Sequence, residues 1–237
     1  MTKTAEKYRQ RLFGGEEHPY VTFEREVQRV LTSGATLVDA GCGRTAPVLR
    51  KFRDRAARCI GIDLEEFPDH IPGIELKQGN LARTGLPDAS VDVIMARSVM
   101  EHVTEPELVY AEMRRVLRPG GHFVFLTANL WDYASLIAKA VPNRLHPWIV
   151  ARTEGRAEND VFPTAYKTNT KRAVHRLARE SGLDVVHFGY LGQYPAYFMF
   201  NGALFLAASL YEKAISRFES LHFLRGWMLV TLRNPSQ

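Results

Sequence analysis

The sequence predicts an α/β fold: a seven-stranded, mainly parallel sheet with helices on both faces, plus an inserted helical and aromatic cap. Three observations carry this expectation. Short apolar runs alternate with stretches of helical period, the pattern of strand–helix–strand units whose strands are buried on both sides. The first run ends in Asp39-Ala-Gly-Cys-Gly43, a glycine turn of the kind that open sheets place at a ligand-binding edge. Between 129 and 165 the periodicity lapses while Trp131, Tyr133 and Trp148 accumulate, which reads as an insertion.

At 237 residues, 46% apolar and 24% charged, the chain is long enough for one sizeable domain and short for two. The expected organisation is a single domain, 1–237, with a cofactor-binding core over 35–128 and cap insertions over 129–166 and 190–222.

In order along the chain, the first thirty residues read as helical, with Val27, Val30 and Leu31 on one stripe and Ser33-Gly34 as the stop. Ala35–Ala40 is strand one. Ala46 to Lys51 reads as a helix, its Pro47 tolerable in the first turn. Arg58–Asp63, Ile74–Gly79 and Val91–Ala96 are strands two to four. Pro106–Leu117 has helical spacing and is stopped by Arg118-Pro-Gly-Gly121, and His122–Thr127 follows as strand five. After the cap, Thr170 caps a helix running to Ser181, Gly182 ends it, Leu183–Phe188 is strand six and Arg225–Leu232 the last strand.

A net charge of +5 suits an acidic partner, but the basic residues are dispersed, and pairs such as Arg114-Arg115 and Lys171-Arg172 read as solvated helix faces, so no nucleic acid is expected. Cys42 and Cys59 fall in the glycine turn and beside strand two, where a reduced chain fits better than a disulfide. With a polar N-terminus, this leads to the expectation of a cytoplasmic protein. Phe188 to Tyr211 carries no charge, yet Pro195, Asn201 and Gly202 interrupt it before the ~20 apolar residues that a membrane span needs. A buried or pocket-lining helix is expected there, with peripheral membrane contact as the alternative. Oligomeric state is not legible.

The chemistry lies at the strand ends. Asp39 precedes Gly41 and Gly43, and Asp63 ends the next strand, so two carboxylates meet a glycine turn in one crevice; a carboxylate at that place can accept from both hydroxyls of a ribose. Where a dinucleotide turn has its third glycine, this chain has Arg44, Thr45 and Ala46, which weakens a pyrophosphate reading. Asp39 can instead be a turn residue, Asp63 a solvated strand end and Asn80 a turn former.

Taken together, Leu37-Val-Asp-Ala-Gly-Cys-Gly43, Asp63, Gly79-Asn-Leu81, Val91-Asp-Val-Ile94, Ser98-Val-Met-Glu-His-Val103 and Leu117-Arg-Pro-Gly-Gly121 resemble, in order and spacing, the class I S-adenosylmethionine-dependent methyltransferase superfamily, in its small-molecule, ubiquinone-biosynthesis-like branch (methyltransferase type 11). The resemblance covers roughly residues 35 to 130 and implies a Rossmann-like fold and S-adenosyl-L-methionine as cofactor. It implies that Asp39, Gly41, Cys42 and Gly43 form the cofactor turn, that Asp63 with Leu64 holds the ribose, and that Asn80 and Leu81 flank the adenine. Arg97, Ser98, Val99 and His102 would close the site. Thr45 departs from the family, where a further glycine is common, and so does Asn80, where aspartate is frequent.

The expected reaction is in-line methyl transfer to a small, lipophilic or aromatic acceptor. A sulfonium is already electrophilic, so positioning does most of the work and a base is needed only for a protonated acceptor. His102 is the first candidate base; Tyr166, His146 and Glu154 in the cap are others. Asn-Pro-Pro-Tyr, common in enzymes that methylate base or glutamine amino groups, is replaced by Ala96-Arg-Ser-Val-Met100. No metal site is expected, Glu158-Asn-Asp160 reading as a turn. The aromatic residues Trp131, Tyr133, Trp148, Phe162, Tyr166, Tyr194, Tyr197, Phe198 and Phe200 suit either an acceptor pocket or the packing of a lid, and Arg152, Arg156 and Lys167 could hold an anionic group. RNA or protein methylation, and a non-catalytic cofactor-binding or membrane-associated module, are the competing functions.

Overall fold

The computed structural model describes residues 1–140 and 163–235. Seven strands form one open sheet in the order β3-β2-β1-β4-β5-β7-β6. They are β1 (Thr36–Ala40), β2 (Arg58–Asp63), β3 (Glu75–Gln78), β4 (Val91–Arg97), β5 (Leu117–Ala128), β6 (Asp184–Leu191) and β7 (Trp227–Arg233). β1 pairs in parallel with β2 and β4, β2 with β3, and β4 with β5. From β1 the chain runs outward to β3 and returns to β4 on the other side. The order therefore reverses between β1 and β4, and a crevice opens beyond their carboxyl ends. Every residue of β1 is buried, which is why its sequence is a continuous apolar run broken only by Asp39 and the edge residue Thr36.

The helices are α1 (Lys3–Phe13), α2 (Pro19–Val30), α3 (Pro106–Val116), α4 (Tyr133–Ala140), α5 (Lys171–Ser181) and α6 (Gly202–Arg217). α5 has the predicted ends: Thr170 Oγ1 accepts from the Ala173 amide at 3.1 Å, and Gly182 closes the helix at φ 74°.

Four local expectations need correction. The first thirty residues form two helices, because Gly14-Gly15 interrupts the period and Pro19 starts the second. The helix expected over 46–51 is a single 3-10 turn, Leu49–Phe52, since Ala46 takes φ 43° and cannot begin an α-helix. Arg118-Pro-Gly-Gly121 does not separate α3 from a later strand. It lies inside β5, where Val91 pairs with Leu117 and Val93 with His122, so the extra residues bulge out of the ladder. The apolar stretch 188–211 is divided among the end of β6, a 3-10 turn at Ala196–Phe198 and the first half of α6, and among the described residues no helix is long and apolar enough to cross a membrane.

The chain resolves into two compact units. The sheet unit comprises Thr22–Thr127, Ala165–Gly189 and Leu229–Gln237; its core includes Leu37, Ile62, Ile94, Phe123 and Phe125, all with no exposed surface. The helical unit comprises Met1–Val21, Ala128–Thr164 and Tyr190–Met228. There α1 packs on α6 and on the turn that precedes it, burying Ala5, Phe13, Met199 and Phe205, with Tyr8, Leu12, Tyr194 and Phe198 around them. Tyr194 and Phe198, counted above among the aromatic residues of a pocket or lid, thus pack against this core.

Candidate functional site

The glycine turn hangs from the end of β2: the amides of Gly41 and Cys42 both donate to the Ile62 carbonyl, at 2.8 and 3.2 Å. Gly41 has φ 79° and Gly43 φ 69°, conformations costly for any residue with a Cβ. They differ in surroundings. A Cβ on Gly41 would stand 2.3 Å from Val99 Cγ2, so this glycine lets the turn press against the loop that follows β4; a Cβ on Gly43 would meet nothing within 4 Å. Ala46, the residue three on from Gly43, also takes a left-handed conformation and is fully buried.

Asp63 is half-buried at the end of β2. Its Oδ2 accepts from the Gly43 amide at 2.7 Å and its Oδ1 from the Glu65 amide at 3.1 Å. Each oxygen keeps a second lone pair for a ligand hydroxyl. Next to it Leu64 is 62% exposed, and an open groove of about 420 Å3 runs past Leu64 between Arg44, Glu65 and Gln78. Arg44 and Glu65 pair at 2.6 Å. Cys42 is buried, and burial together with Asp39 and Asp63 holds its thiol far above the ordinary range, so its part in the turn is its backbone.

Asp39 is buried, and its Oδ2 has no hydrogen-bond partner. Burial pushes its pKa up to about 7, Arg97 draws it down and the Asp63 carboxylate adds to the rise. On the neighbouring strand end Ser98 takes φ 56°, and its buried Oγ also lacks a partner. Unsatisfied buried polar atoms are costly and uncommon, and two at the point where strand order reverses mark places that ligand groups would satisfy. Arg97 reaches Glu24 at 3.7 Å, and Val99 fills the place already described against Gly41.

Asn80 is exposed, and its Oδ1 accepts from the Ala82 amide at 2.8 Å, a turn-forming bond; Leu81 beside it is half-buried. His102 is half-buried in the turn after β4, its amide bonded to the Val99 carbonyl at 2.9 Å. Tyr166, at φ 51°, comes to the same loop, since its amide and that of Ala165 donate to the Glu101 carbonyl at 3.1 and 2.7 Å. Lys167 Nζ donates to the Thr104 carbonyl at 2.7 Å. His146, Glu154, Arg152, Arg156, Trp148 and Phe162 lie outside the described residues.

Sequence reasoning passed over Glu101. Its carboxylate is buried, Thr127 Oγ1 donates to Oε2 at 2.7 Å, and Asn169 Nδ2 donates to that hydroxyl at 2.9 Å. Burial raises its pKa, while the adjacent His102 and the Thr127 bond oppose the rise. The signal was an acidic residue inside the apolar run Val99-Met-Glu-His-Val103.

Residues 38–125 match the family model described as a methyltransferase domain. The chain is 38% identical over 114 residues to the Mycolicibacterium smegmatis protein named "Probable S-adenosylmethionine-dependent methyltransferase", covering 46% of this chain and 43% of that one. It is 28% identical over 139 residues to the ubiquinone biosynthesis O-methyltransferase of Hahella chejuensis, covering 51% and 58%. The chain thus spans about half the length of the curated relatives it matches. In fold it is similar to a crystal structure of an S-adenosylmethionine-dependent methyltransferase from Mesorhizobium loti, with TM-score 0.56, 19% identity and coverage of 90% of this chain and 96% of that one. The glycine turn, the carboxylate ending β2 and the reversal of strand order fall inside the matched residues, or end the strands they contain, and over residues 38–125 the chain is similar to the methyltransferase domain of S-adenosylmethionine-dependent methyltransferases.

Proposed function

We propose that this chain transfers a methyl group from S-adenosylmethionine to a small, lipophilic or aromatic acceptor by in-line displacement. The observation that carries the proposal is the pair of unpartnered buried polar atoms, Asp39 Oδ2 and Ser98 Oγ, at the point where strand order reverses and beside the Asp63 carboxylate. These residues fit the cofactor. Asp63 would accept from the ribose hydroxyls with the lone pairs that the Gly43 and Glu65 amides leave, and Leu64 offers an exposed apolar face for the adenine. Asp39 would answer a cationic group on the methionine part, and the space over Gly43 leaves that part room.

Bound there, S-adenosylmethionine supplies a methyl group on an electrophilic sulfonium, so the protein's task is to hold the acceptor in line and keep water out. His102, on the loop after β4, would take a proton from an acceptor hydroxyl or amine, and Glu101 would fix the loop that carries it. The dispersed positive charge and the similarity to the Hahella chejuensis O-methyltransferase support a small-molecule acceptor. The two free, buried cysteines suit a reducing, cytoplasmic setting. Isothermal titration with S-adenosylhomocysteine tests the core of this reading: saturable binding is expected, and its absence from folded protein that binds NAD instead would overturn it. An acceptor screen against a metabolite extract then tests the substrate class.

A further inference from the structure

The helical unit holds a second cluster that the cofactor reading leaves unused. α6 buries one stripe, Phe205, Ser209, Glu212 and Ile215, and three of the four follow from ordinary helix packing: two are apolar, and Ser209 returns its hydroxyl to the Phe205 carbonyl at 2.7 Å. Glu212 does not follow. It is 5% exposed, and its Oε2 is sealed from solvent without a hydrogen-bond partner. A buried, unpaired carboxyl is among the most costly groups a small unit can carry.

The groups around it are mostly acidic or aromatic. Asp132 is buried and committed to α4, whose Ala134 amide donates to its Oδ2 at 3.1 Å. The Tyr133 ring stands edge-on to Tyr211, with centroids 5.6 Å apart, and stacks with Phe198 at 6.1 Å. Burial drives the pKa of the Tyr133 hydroxyl upward, and the field of Glu212, Asp132, Tyr197 and Tyr211 adds to the rise. Among the described residues the cations nearby do not close the balance. Lys213 is paired with Glu16, and Arg225 spends Nη1 on the Tyr190 carbonyl and Nη2 on the Ser216 carbonyl, at 3.1 and 3.3 Å, leaving a buried Nε with no partner. In a chain with net charge +5, this interior cluster is locally acidic.

We propose that Glu212, with Asp132 behind it and the rings of Tyr133, Tyr211 and Phe198 beside it, forms a recognition site for the protonated amine or quaternary ammonium of a small organic ligand. An ammonium would give Glu212 Oε2 the donor that it lacks, while the ring faces add the attraction of aromatic quadrupoles for a desolvated cation. Tyr211, 36% exposed, is the ring of the cluster that reaches solvent. The raised pKa of Glu212, about 8, from burial and from the charges of Asp132 and Glu16 against the pull of Arg225, is what such a site shows before its cation arrives. The site is built from residues of the helical unit by themselves and stands apart from the function proposed above.

The test is titration of the full chain with benzylammonium, benzyl alcohol and benzoate, which share a ring and differ in charge. Saturable binding of benzylammonium at millimolar concentration is expected, with benzoate excluded, benzyl alcohol weaker, and Glu212→Gln weakening benzylammonium about tenfold. Equal binding of all three, or none, overturns the proposal, as does an unchanged benzylammonium affinity in the variant. S-adenosylhomocysteine is titrated against the same samples. A variant that keeps it but loses benzylammonium has lost the cation site and not its fold. Benzylammonium binding without S-adenosylhomocysteine binding would overturn the methyltransferase reading alone.

Discussion

Gly41 and Gly43 look equivalent as residues, yet they are glycine for different reasons, and substitution separates them. Gly41→Ala adds a clash with Val99 to a left-handed backbone and should cost ~2–4 kcal/mol of stability. Gly43→Ala carries only the backbone strain, ~1–2 kcal/mol, but projects a methyl into the open space where the cofactor would lie. Chemical denaturation paired with S-adenosylhomocysteine titration reads both effects: the first variant should lose chiefly stability, the second chiefly affinity. Asp63→Ala should weaken cofactor binding by ~1–3 kcal/mol through lost charged hydrogen bonds, and an affinity equal to wild type would remove Asp63 from the ribose position. The carboxylates at 39 and 63 were legible because strand ends are where sequence pattern speaks most clearly. Ser98 was legible only as part of a loop, since neither its φ of 56° nor its stranded hydroxyl leaves a trace in residue type.

Among the elements, α6 and the loop after β4 each bury a carboxyl, and the two behave differently. Glu101 has a partner in Thr127, so Glu101→Gln should keep the fold and slow turnover of an acceptor that needs His102, with cofactor affinity little changed; a steady-state comparison of the two constants checks it. Glu212 has none. Its folded pKa near 8 lies above the ordinary 4.5, so the folded state keeps a proton that the unfolded chain releases, and stability is lost as pH rises from about 4.5 to about 8. Asp132, pushed up to about 6, acts in the same direction over a lower window. Glu212→Gln should therefore flatten this slope and melt higher than the parent at alkaline pH, while the two converge in acid; thermal melts across pH decide it. Period and punctuation made β1, β2, β4, α3 and α5 readable to within a residue or two. They failed at Arg118-Pro-Gly-Gly121, because a bulge needs the same residues as a helix stop and only the register with β4 tells them apart.

For the whole molecule, the order of strands places the carboxyl ends of β1, β2 and β4 together, and the resemblance legible in the sequence over roughly residues 35 to 130 overlaps residues 38–125, which match the methyltransferase-domain model. The helical unit was far less so. Its pieces, Met1–Val21, Ala128–Thr164 and Tyr190–Met228, carry no shared signal in sequence, since their common property is contact made at great separation along the chain. α1 illustrates the difficulty: its capped, charged sequence gives no hint that Ala5 and Phe13 pack on Met199 and Phe205.

That pairing of α1 with α6 has a consequence for synthesis. The ribosome makes Lys3–Phe13 nearly two hundred residues before Gly202–Arg217, a lag of roughly 10–40 s at translation rates of ~5–20 residues per second. Throughout that interval Phe13 has no native partner on α6, and a helix of 11 residues is marginal in water by itself. The α1 segment thus leaves the ribosome with its apolar stripe uncovered, and it can dock only once α6 has been made.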